Sequence, residues 1–341
     1  MDTRSAASAT NRRENKMAEN TNEILRVNHL KKYFPVPAGM LHAVDDISFT
    51  IDNGKTLGVV GESGCGKSTM GRAILRLHEP TSGEVYFQGK DVLALDKQGM
   101  KQLRRDMQII FQDPYASLNP RMTVSEAIAA PLLVQRIYSR KDKAQIEKRV
   151  REIMDLVGLA NRLINTYPHE LDGGRRQRIG IARALALNPK FIVCDEPVSA
   201  LDVSIQAQIL NLMADLQDEL GLTYLFITHD LSVVKYVSDD ILVMYLGQMV
   251  EKAPSDKLFK KPMHPYTQAL LSAIPIPDPD LPMNRITMKG ELTSPVNPGI
   301  GCRFAKRCPY AKDECSQQEM VLTEEESGHF VTCLRVQRGE I

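Results

Sequence analysis

The sequence predicts an α/β fold in which helices cover a mainly parallel sheet. Two observations lead to this prediction. Short apolar runs typical of buried strands occur at 56–60, 191–194, 223–228 and 241–245. Helical patterns such as 67–77 and 204–220 lie between several of these runs, and strands that alternate with helices indicate a parallel sheet.

Further strands are predicted at 24–27, 44–51, 84–87 and 107–111. In the second of these runs, Ile47, Phe49 and Ile51 keep a period of two, which is typical of a half-buried antiparallel strand. We therefore expect an antiparallel β subdomain beside the main sheet. From 123 to about 162 the pattern turns helical, and we assign a helical subdomain to about 113–172.

The length of 341 residues allows one large domain and a smaller one. We expect a disordered polar tail at 1–22, a large domain at 23–254 and a small cysteine-containing domain at 255–341. The Pro-rich segment 274–283 predicts an extended linker. A net charge of +1 gives no basic field for nucleic acid, and no apolar run approaches the roughly 18 residues of a membrane span.

A phosphate-binding loop follows the strand predicted at 56–60. The run GESGCGKS fits the pattern G-x-x-x-x-G-K-[ST], with a strand before it and a helix after it. We expect Lys67 to reach the β- and γ-phosphates of a nucleotide and the Ser68 hydroxyl to bind Mg²⁺. The fold is thus that of a P-loop NTPase. The predicted nucleotide-binding residues of this loop are Gly61, Glu62, Ser63, Gly64, Cys65, Gly66, Lys67, Ser68 and Thr69.

Two adjacent acids follow the strand predicted at 191–194. An Asp in the position of Asp195 holds the Mg²⁺ of the nucleotide, commonly through water. The next residue, Glu196, can polarise an attacking water as a general base. We therefore predict that Asp195 is a magnesium ligand and Glu196 is catalytic.

These motifs, in this order, resemble the ATPase domain of ATP-binding cassette (ABC) proteins over about 25–250. The run LDGGRRQR at 171–178 is similar to the family's signature sequence LSGGQ. The resemblance implies that Asp172, Gly173 and Gly174 contact nucleotide held by an opposite subunit. It also implies that Gln112 senses Mg²⁺ in the Q-loop and that His229 touches the γ-phosphate.

The same resemblance implies two further features. Residues 199–202 match the D-loop, which lines the interface between subunits. An aromatic side chain that stacks on adenine is implied near the start of the domain. Phe34 and its neighbour Tyr33 are the two candidates for this role.

A closer resemblance lies beyond the cassette. The run HPYT at 264–267, LLSAIPIPDP and GCRFAKRCPYAKDEC are similar to ATPases of dipeptide and oligopeptide importers. This implies ATP and Mg²⁺ as cofactors, and a location at the cytoplasmic face of the cell membrane. The implied partners are a second, related ATPase, two transmembrane permease subunits and an extracytoplasmic peptide-binding protein. Importers of nickel or another small solute, and non-transport ABC ATPases, stay open as alternatives.

Six cysteines divide into two groups. Cys65 and Cys194 lie inside the loop and a strand and are predicted to be packed side chains. The other four have the spacing C-x5-C-x6-C-x17-C, and four thiolates can close a tetrahedral site for Fe–S or Zn²⁺. Buried thiols without a ligand are the alternative. The resemblance favours a [4Fe–4S] cluster on Cys302, Cys308, Cys315 and Cys333.

Asp172 departs from the family pattern, which has Ser at this position. A carboxylate about 4 Å from a phosphate, at an effective dielectric near 20, is repelled by roughly 4 kcal/mol per pair of unit charges. Arg175 and Arg176 are expected to offset part of this repulsion. A homodimer would carry two such sites, so we expect a heterodimer in which the site that uses Asp172 hydrolyses ATP slowly or only binds it. The alternative is that Asp172 is a tolerated variant, protonated or turned aside from the phosphate.

Overall fold

The computed structural model describes residues 22–274, 285–288, 290 and 294–341. Residues 1–21 of the predicted tail and 275–283 of the predicted linker lie outside the described residues. The strands, in chain order, are β1 (Glu23–Val36), β2 (Gly39–Asp52), β3 (Thr56–Val60), β4 (Ser82–Phe87), β5 (Lys90–Asp91), β6 (Met107–Ile110), β7 (Phe191–Asp195), β8 (Thr223–Ile227), β9 (Asp240–Tyr245), β10 (Gln248–Pro254), β11 (Thr323–Glu326) and β12 (His329–Val331).

The α-helices of the described residues are α1 (Lys67–Ile74), α2 (Lys97–Asp106), α3 (Pro114–Ser117), α4 (Val124–Val134), α5 (Lys143–Leu156), α6 (Gly173–Leu185), α7 (Val203–Leu220), α8 (Leu231–Val237), α9 (Ser255–Lys260), α10 (Pro265–Ser272) and α11 (Leu334–Gln337). Short 3₁₀ turns occur at Asn161–Leu163, Pro168–Glu170 and Asp313–Ser316.

The main sheet has eight strands in the order β11-β12-β10-β9-β3-β8-β7-β6. The strands from β9 to β6 run parallel, and those from β10 to β11 pair antiparallel. The predicted mainly parallel sheet is confirmed. Every residue of β3, β7 and β8 is buried, as expected for parallel strands with helices on both faces.

A second sheet of four antiparallel strands, in the order β2-β1-β4-β5, packs beside the first. It confirms the predicted antiparallel β subdomain. Ile47, Phe49 and Ile51 of β2 are buried in one core with Met70 and Ile74 of α1. The main difference from the prediction is length, because β1 continues from the predicted 24–27 as far as Val36.

The segment 113–172 contains α3, α4 and α5, and its core is shared with the main sheet. Val124 and Ile128 of α4 pack in one cluster with Ile153 of α5 and Ile179 of α6. Thr123 begins α4 with a capping box, since its side chain accepts from the Glu126 backbone N–H while the Glu126 carboxylate accepts from the Thr123 N–H.

The carboxyl-terminal region packs onto the large domain. β11 and β12 extend the main sheet through β10, where Glu251 pairs with Val331. Phe304 and Tyr266 are buried in one core with Tyr245 of β9. A separate small domain at 255–341 is therefore not confirmed, because its strands and core residues are shared with the large domain.

The HPYT run at 264–267 packs against the buried carboxylate of Glu251. Glu251 has no exposed surface, and its oxygens accept from the backbone N–H groups of Met263 and His264 at 2.7 and 2.9 Å. His329 Nε2 lies 2.7 Å from the same carboxylate. The Nδ1 atom of His264 in turn accepts from the Tyr266 N–H and begins α10. This network joins β10, β12 and α10.

No helix in the described ranges is both long and apolar enough to cross a membrane.

Candidate nucleotide site

The predicted site residues follow the carboxyl ends of neighbouring parallel strands. The register pairs Ile110 with Cys194 across β6 and β7, and Asp195 with Ile227 across β7 and β8. Residues that follow these strands therefore meet at one edge of the sheet, where α/β folds place their ligands. The phosphate loop follows β3, which is the next strand in the sheet.

The glycines of the phosphate loop allow the backbone to turn tightly. Gly66 has φ +105°, and a Cβ atom there would lie 1.9 Å from the Ala43 carbonyl oxygen. Gly61 has φ +154°, and a Cβ atom there would lie 2.2 Å from the Met244 carbonyl oxygen. Only glycine fits these two positions, so the pattern found in the sequence is required by close backbone packing.

Lys67 is held inside the loop. Its side chain is buried, and Nζ donates to the carbonyl oxygens of Gly61 at 2.7 Å and Glu62 at 3.0 Å. The Glu62 N–H donates to the Tyr266 hydroxyl at 2.9 Å. Cys65, which is part of the loop, is buried, and burial raises the pKa of its thiol. Cys65 and the fully buried Cys194 are packed side chains, as predicted.

Ser68 and Asp195 lie together although 127 positions separate them. The Ser68 hydroxyl donates to Asp195 Oδ1 at 2.5 Å, and Arg72 Nη2 donates to Asp195 Oδ2 at 3.2 Å. Asp195 is only 1% exposed, and these two hydrogen bonds give each of its carboxylate oxygens a partner. A hydroxyl and a carboxylate oxygen at this distance are a suitable pair of ligands for Mg²⁺.

Gln112, Glu196 and His229 form a second cluster. Gln112 Nε2 donates to Glu196 Oε2 at 2.8 Å, and His229 Nδ1 lies 3.3 Å from the same oxygen. The Glu196 backbone has φ +49° and donates from its N–H to Ile227 of β8 at 2.9 Å. This left-handed conformation turns Glu196 away from the direction of Asp195, so the two adjacent acids have different partners.

One cavity of about 480 Å³ is lined both by residues of the phosphate loop and by Gln112, Glu196 and His229. It is lined by Phe34, Leu41, Ala43, Ser63, Gly64, Gly66, Lys67, Ser68, Thr69, Gln112, Glu196, His229 and Pro295. Of the two aromatic candidates, Phe34 lines the cavity. Tyr33 instead stacks on His42 with ring centroids 3.8 Å apart, and its hydroxyl donates to Asp45. Burial, followed by the hydrogen bond to Asp45, raises the pKa of Tyr33.

Asp172, Gly173 and Gly174 lie away from this cavity, at the start of α6. Asp172 and Gly174 line a separate cavity of about 310 Å³ with Arg162, Arg175 and Arg178. This cavity shares no lining residue with the one at the phosphate loop. Within one chain, the signature-like segment and the phosphate loop therefore belong to different sites.

Asp172 serves as the N-cap of α6. Its Oδ1 accepts from the Arg175 backbone N–H at 2.8 Å, and its Oδ2 lies 3.0 Å from Arg175 Nη1. Asp and Ser are both good N-caps, so the substitution keeps the local structure of the helix start. The prediction that Arg176 offsets the charge of Asp172 is wrong. Its buried guanidinium donates to the Pro168 carbonyl oxygen and lies over the Tyr115 ring, 3.4 Å from its centroid.

The four carboxyl-terminal cysteines line one small cavity of about 20 Å³, together with His264 and Tyr310. Burial raises the pKa of Cys302 to about 12 and also raises the pKa of Cys308 and Cys333. All six cysteines of the chain are free thiols. In the described ranges, no group of three or more His, Cys, Asp or Glu side chains is arranged to hold a metal ion.

Some residues at the site were not found by sequence reasoning. Arg72 lies one helical turn after Ser68, and this i,i+4 spacing on α1 was a usable signal. Pro295 lines the nucleotide cavity, and Arg307 pairs with Glu62 of the phosphate loop. Nothing local in the sequence connects these two residues with a loop more than 200 positions away.

The fold and the cavity define a P-loop ATPase. A family profile described as "ABC transporter" matches residues 44–199, and one described as "Oligopeptide/dipeptide transporter, C-terminal region" matches 250–315. The chain is 54% identical over 313 residues to the putative oligopeptide transport ATP-binding protein YkfD of Bacillus subtilis, covering 91% of this chain and 94% of that protein. It is also 54% identical to the oligopeptide transport ATP-binding protein OppF of Salmonella typhimurium, covering 90% and 91% respectively.

Solved structures agree with these matches. The ATP-binding cassette MJ0796, solved as a dimer in a post-hydrolysis state bound to ADP and phosphate, superposes with a TM-score of 0.62 at 30% identity. The match covers 68% of this chain and 99% of that one. The chain belongs to the oligopeptide/dipeptide branch of the ABC transporter ATPases. The two resemblances found in the sequence are therefore confirmed.

Proposed function

We propose that this chain is the ATP-hydrolysing subunit of an importer of di- and oligopeptides. The observation that carries the proposal is the meeting of Lys67, the Ser68–Asp195 pair and the Gln112–Glu196–His229 cluster at one sheet edge. The carboxyl-terminal match to the oligopeptide/dipeptide family supports peptides as the substrate class.

Each group has a proposed task. When ATP binds, Lys67 Nζ donates to the β- and γ-phosphates instead of the carbonyl oxygens of Gly61 and Glu62. Glu196 accepts a proton from the attacking water, while Gln112 and His229 fix the direction of its carboxylate and contact the γ-phosphate. Phe34 stacks on the adenine. The loop backbone from Gly61 to Thr69 surrounds the phosphates, where the N-terminus of α1 favours negative charge.

Ser68 and Asp195 are suited to Mg²⁺, because both offer an oxygen atom as a metal ligand and these two oxygens lie 2.5 Å apart. Gln112, which lines the same cavity, is the third candidate ligand. When bound, Mg²⁺ neutralises charge that develops on the transferred phosphate.

We propose that the chain works with a different, related ATPase. Asp172 lies outside the chain's own nucleotide cavity, so its segment is free to face nucleotide held by another subunit. The pairing with Arg175 offsets part of its charge, but both side chains are more than half exposed. The site completed by Asp172 is therefore expected to hydrolyse ATP more slowly than the site that contains Glu196.

The remaining proposed partners are two transmembrane permease subunits and an extracytoplasmic peptide-binding protein, which place the chain at the cytoplasmic face of the cell membrane. Reconstitution of these subunits in proteoliposomes tests the function. Peptide uptake that depends on ATP and on Glu196 is the expected result. Uptake of nickel ions or another small solute in place of peptides would contradict the peptide assignment.

We also propose that Cys302, Cys308, Cys315 and Cys333 hold a [4Fe–4S] cluster, with Zn²⁺ as the alternative. Their shared cavity and soft thiol donors support this. Binding requires the four sulfurs to draw closer and lose their protons, since no metal-binding arrangement is present in the described residues. Iron, sulfide and zinc analysis of protein purified without oxygen tests the proposal, and metal-free protein would contradict it.

A further inference from the structure

The carboxyl-terminal region contacts the nucleotide site at a residue that carries no motif. Arg307 lies between two cysteines of the four-cysteine cavity, in a tight turn that starts at Cys302 and ends at Cys308. The residue is only 9% exposed, and it is 245 positions from Glu62 along the chain. A long charged side chain is rarely so buried without a partner.

The charged partner of Arg307 is Glu62, the second residue of the phosphate loop, and Arg307 Nη1 also lies 3.4 Å from the Tyr245 hydroxyl. Arg307 Nη1 donates to Glu62 Oε2 at 2.7 Å, and Nη2 donates to Glu62 Oε1 at 3.1 Å. Two parallel hydrogen bonds of this kind fix the direction of both groups as well as their distance. The hydrogen bond to Glu62 also raises the pKa of Arg307.

Glu62 is held at three points. Its carboxylate binds Arg307, its N–H donates to the Tyr266 hydroxyl, and its carbonyl oxygen accepts from Lys67 Nζ. Both Arg307 and Tyr266 belong to the carboxyl-terminal region. The chain of contacts therefore runs from the turn at Arg307, through Glu62, to the lysine that reaches the phosphates.

The loop needs such an anchor because it is rich in glycine. Gly61, Gly64 and Gly66 all have positive φ, and glycine loses more conformational freedom on ordering than any other residue. If nucleotide had to order this loop on binding, the entropy cost would reduce its affinity. A loop already fixed at Glu62 avoids part of that cost.

A second contact brings the same region to the other end of the cavity. The backbone of Pro295 and Asn297 pairs with the β2 hairpin, through His42 N to Pro295 O at 3.0 Å and Asn297 N to Met40 O at 2.9 Å. Pro295 thereby lines the cavity on the side of Leu41. The carboxyl-terminal region thus touches the nucleotide site at two separate places.

We propose that Arg307 is a positioning residue for nucleotide binding, which acts by fixing the phosphate loop through Glu62. The region beyond the cassette is then part of the ATP site in the same chain. This inference rests on the proposed role of the loop in binding ATP. Arg307 does not contact the nucleotide in this proposal, so its effect is transmitted through Glu62 alone.

The test measures the Kd of MgADP by calorimetry on the full chain, with the melting temperature measured in parallel. We expect R307A to raise the Kd about tenfold, because a misplaced loop loses its prepared geometry. R307K keeps the charge but not the paired hydrogen bonds, and should lie between R307A and the wild type. The matched control is R338A, which removes the exposed Arg338–Glu314 pair of the same region and should leave the Kd unchanged.

A double-variant cycle separates positioning from charge. If Arg307 acts only through Glu62, the double variant R307A/E62A binds MgADP with the Kd of the weaker of the two single variants. Additive losses, or a double variant restored to the wild-type Kd, would each overturn the proposal, since the second result indicates simple repulsion by an unpaired Glu62. An R307A protein that melts earlier but binds normally would overturn it as well.

If R307A does not fold, R307K and E62A decide the question, and wild-type Kd values for both would overturn the proposal. A wild-type chain that binds no MgADP would contradict the proposed function of the loop instead.

Discussion

Gln112 Nε2 lies 2.8 Å from Glu196 Oε2, although 84 positions separate the two residues. The contact joins the ends of β6 and β7, and His229 at the end of β8 approaches the same carboxylate oxygen at 3.3 Å. Glu196 is therefore directed by two side chains that follow the neighbouring strands β6 and β8. This arrangement suits a base that must point at one water molecule.

Replacement of Glu196 by Gln should separate binding from hydrolysis. The amide keeps the shape and the contact with Gln112 but cannot accept a proton. We expect ATP hydrolysis by the assembled transporter to fall by about 10²- to 10⁴-fold, with the Kd of MgATP nearly unchanged. The control is E152Q, which alters an exposed pair with Arg149. Retained hydrolysis in E196Q would contradict the role of Glu196 as general base.

Two substitutions at Asp172 should separate its structural and electrostatic effects. D172A removes the N-cap of α6 and should lower the free energy of unfolding by about 1 kcal/mol. D172S keeps a capping oxygen and should leave stability unchanged, while removal of the carboxylate speeds hydrolysis at the second site of the assembled transporter. Stability is measured by denaturant unfolding and activity by phosphate release. Equal ATPase rates for D172S and the wild type would contradict the proposed asymmetry.

Gly66 should not tolerate a side chain. Alanine there requires φ near +105° and places Cβ 1.9 Å from the Ala43 carbonyl oxygen, so the loop must move. We expect G66A to abolish MgADP binding in a calorimetric titration. The control is G54A, at φ +74° with no atom within 4 Å of the added Cβ. It should lower stability by about 1–2 kcal/mol and leave binding intact.

The buried His264 should make stability depend on pH. Burial lowers the pKa of His264 from 6.5 to about 4, so the folded chain keeps this side chain neutral where the unfolded chain protonates it. Its contribution is fully present above pH 6.5 and is lost as the pH falls from 6.5 to about 4. The loss amounts to about 3 kcal/mol at most.

His264→Asn provides the comparison. Asn keeps an acceptor for the N-cap of α10 but does not titrate. Denaturant unfolding of both proteins from pH 8 to pH 4 should give a flatter decline for the variant. Parallel declines would show that His264 is not responsible.

The local motifs were fully readable from the sequence. A strand, a glycine-rich turn and a helix determine the phosphate loop, and glycine at positions 61 and 66 reports the close backbone contacts that the structure shows. The two acids at the end of β7, Asp195 and Glu196, are equally local. Their meeting with Gln112 and His229 was implied only by family resemblance, because it depends on the register of three strands that the sequence does not specify.

The sequence by itself thus determined the class of fold, the motifs of the ATP site and the family. Only the tertiary structure decided that Phe34 and not Tyr33 lines the cavity, and that Arg176 packs on Tyr115 away from Asp172. It also joined the carboxyl-terminal region to the main sheet and brought Arg307 to Glu62. The physical reason is the separation along the chain of the residues that interact. Backbone conformation depends on neighbouring residues, whereas these contacts join segments that meet only after the sheet has formed its strand order.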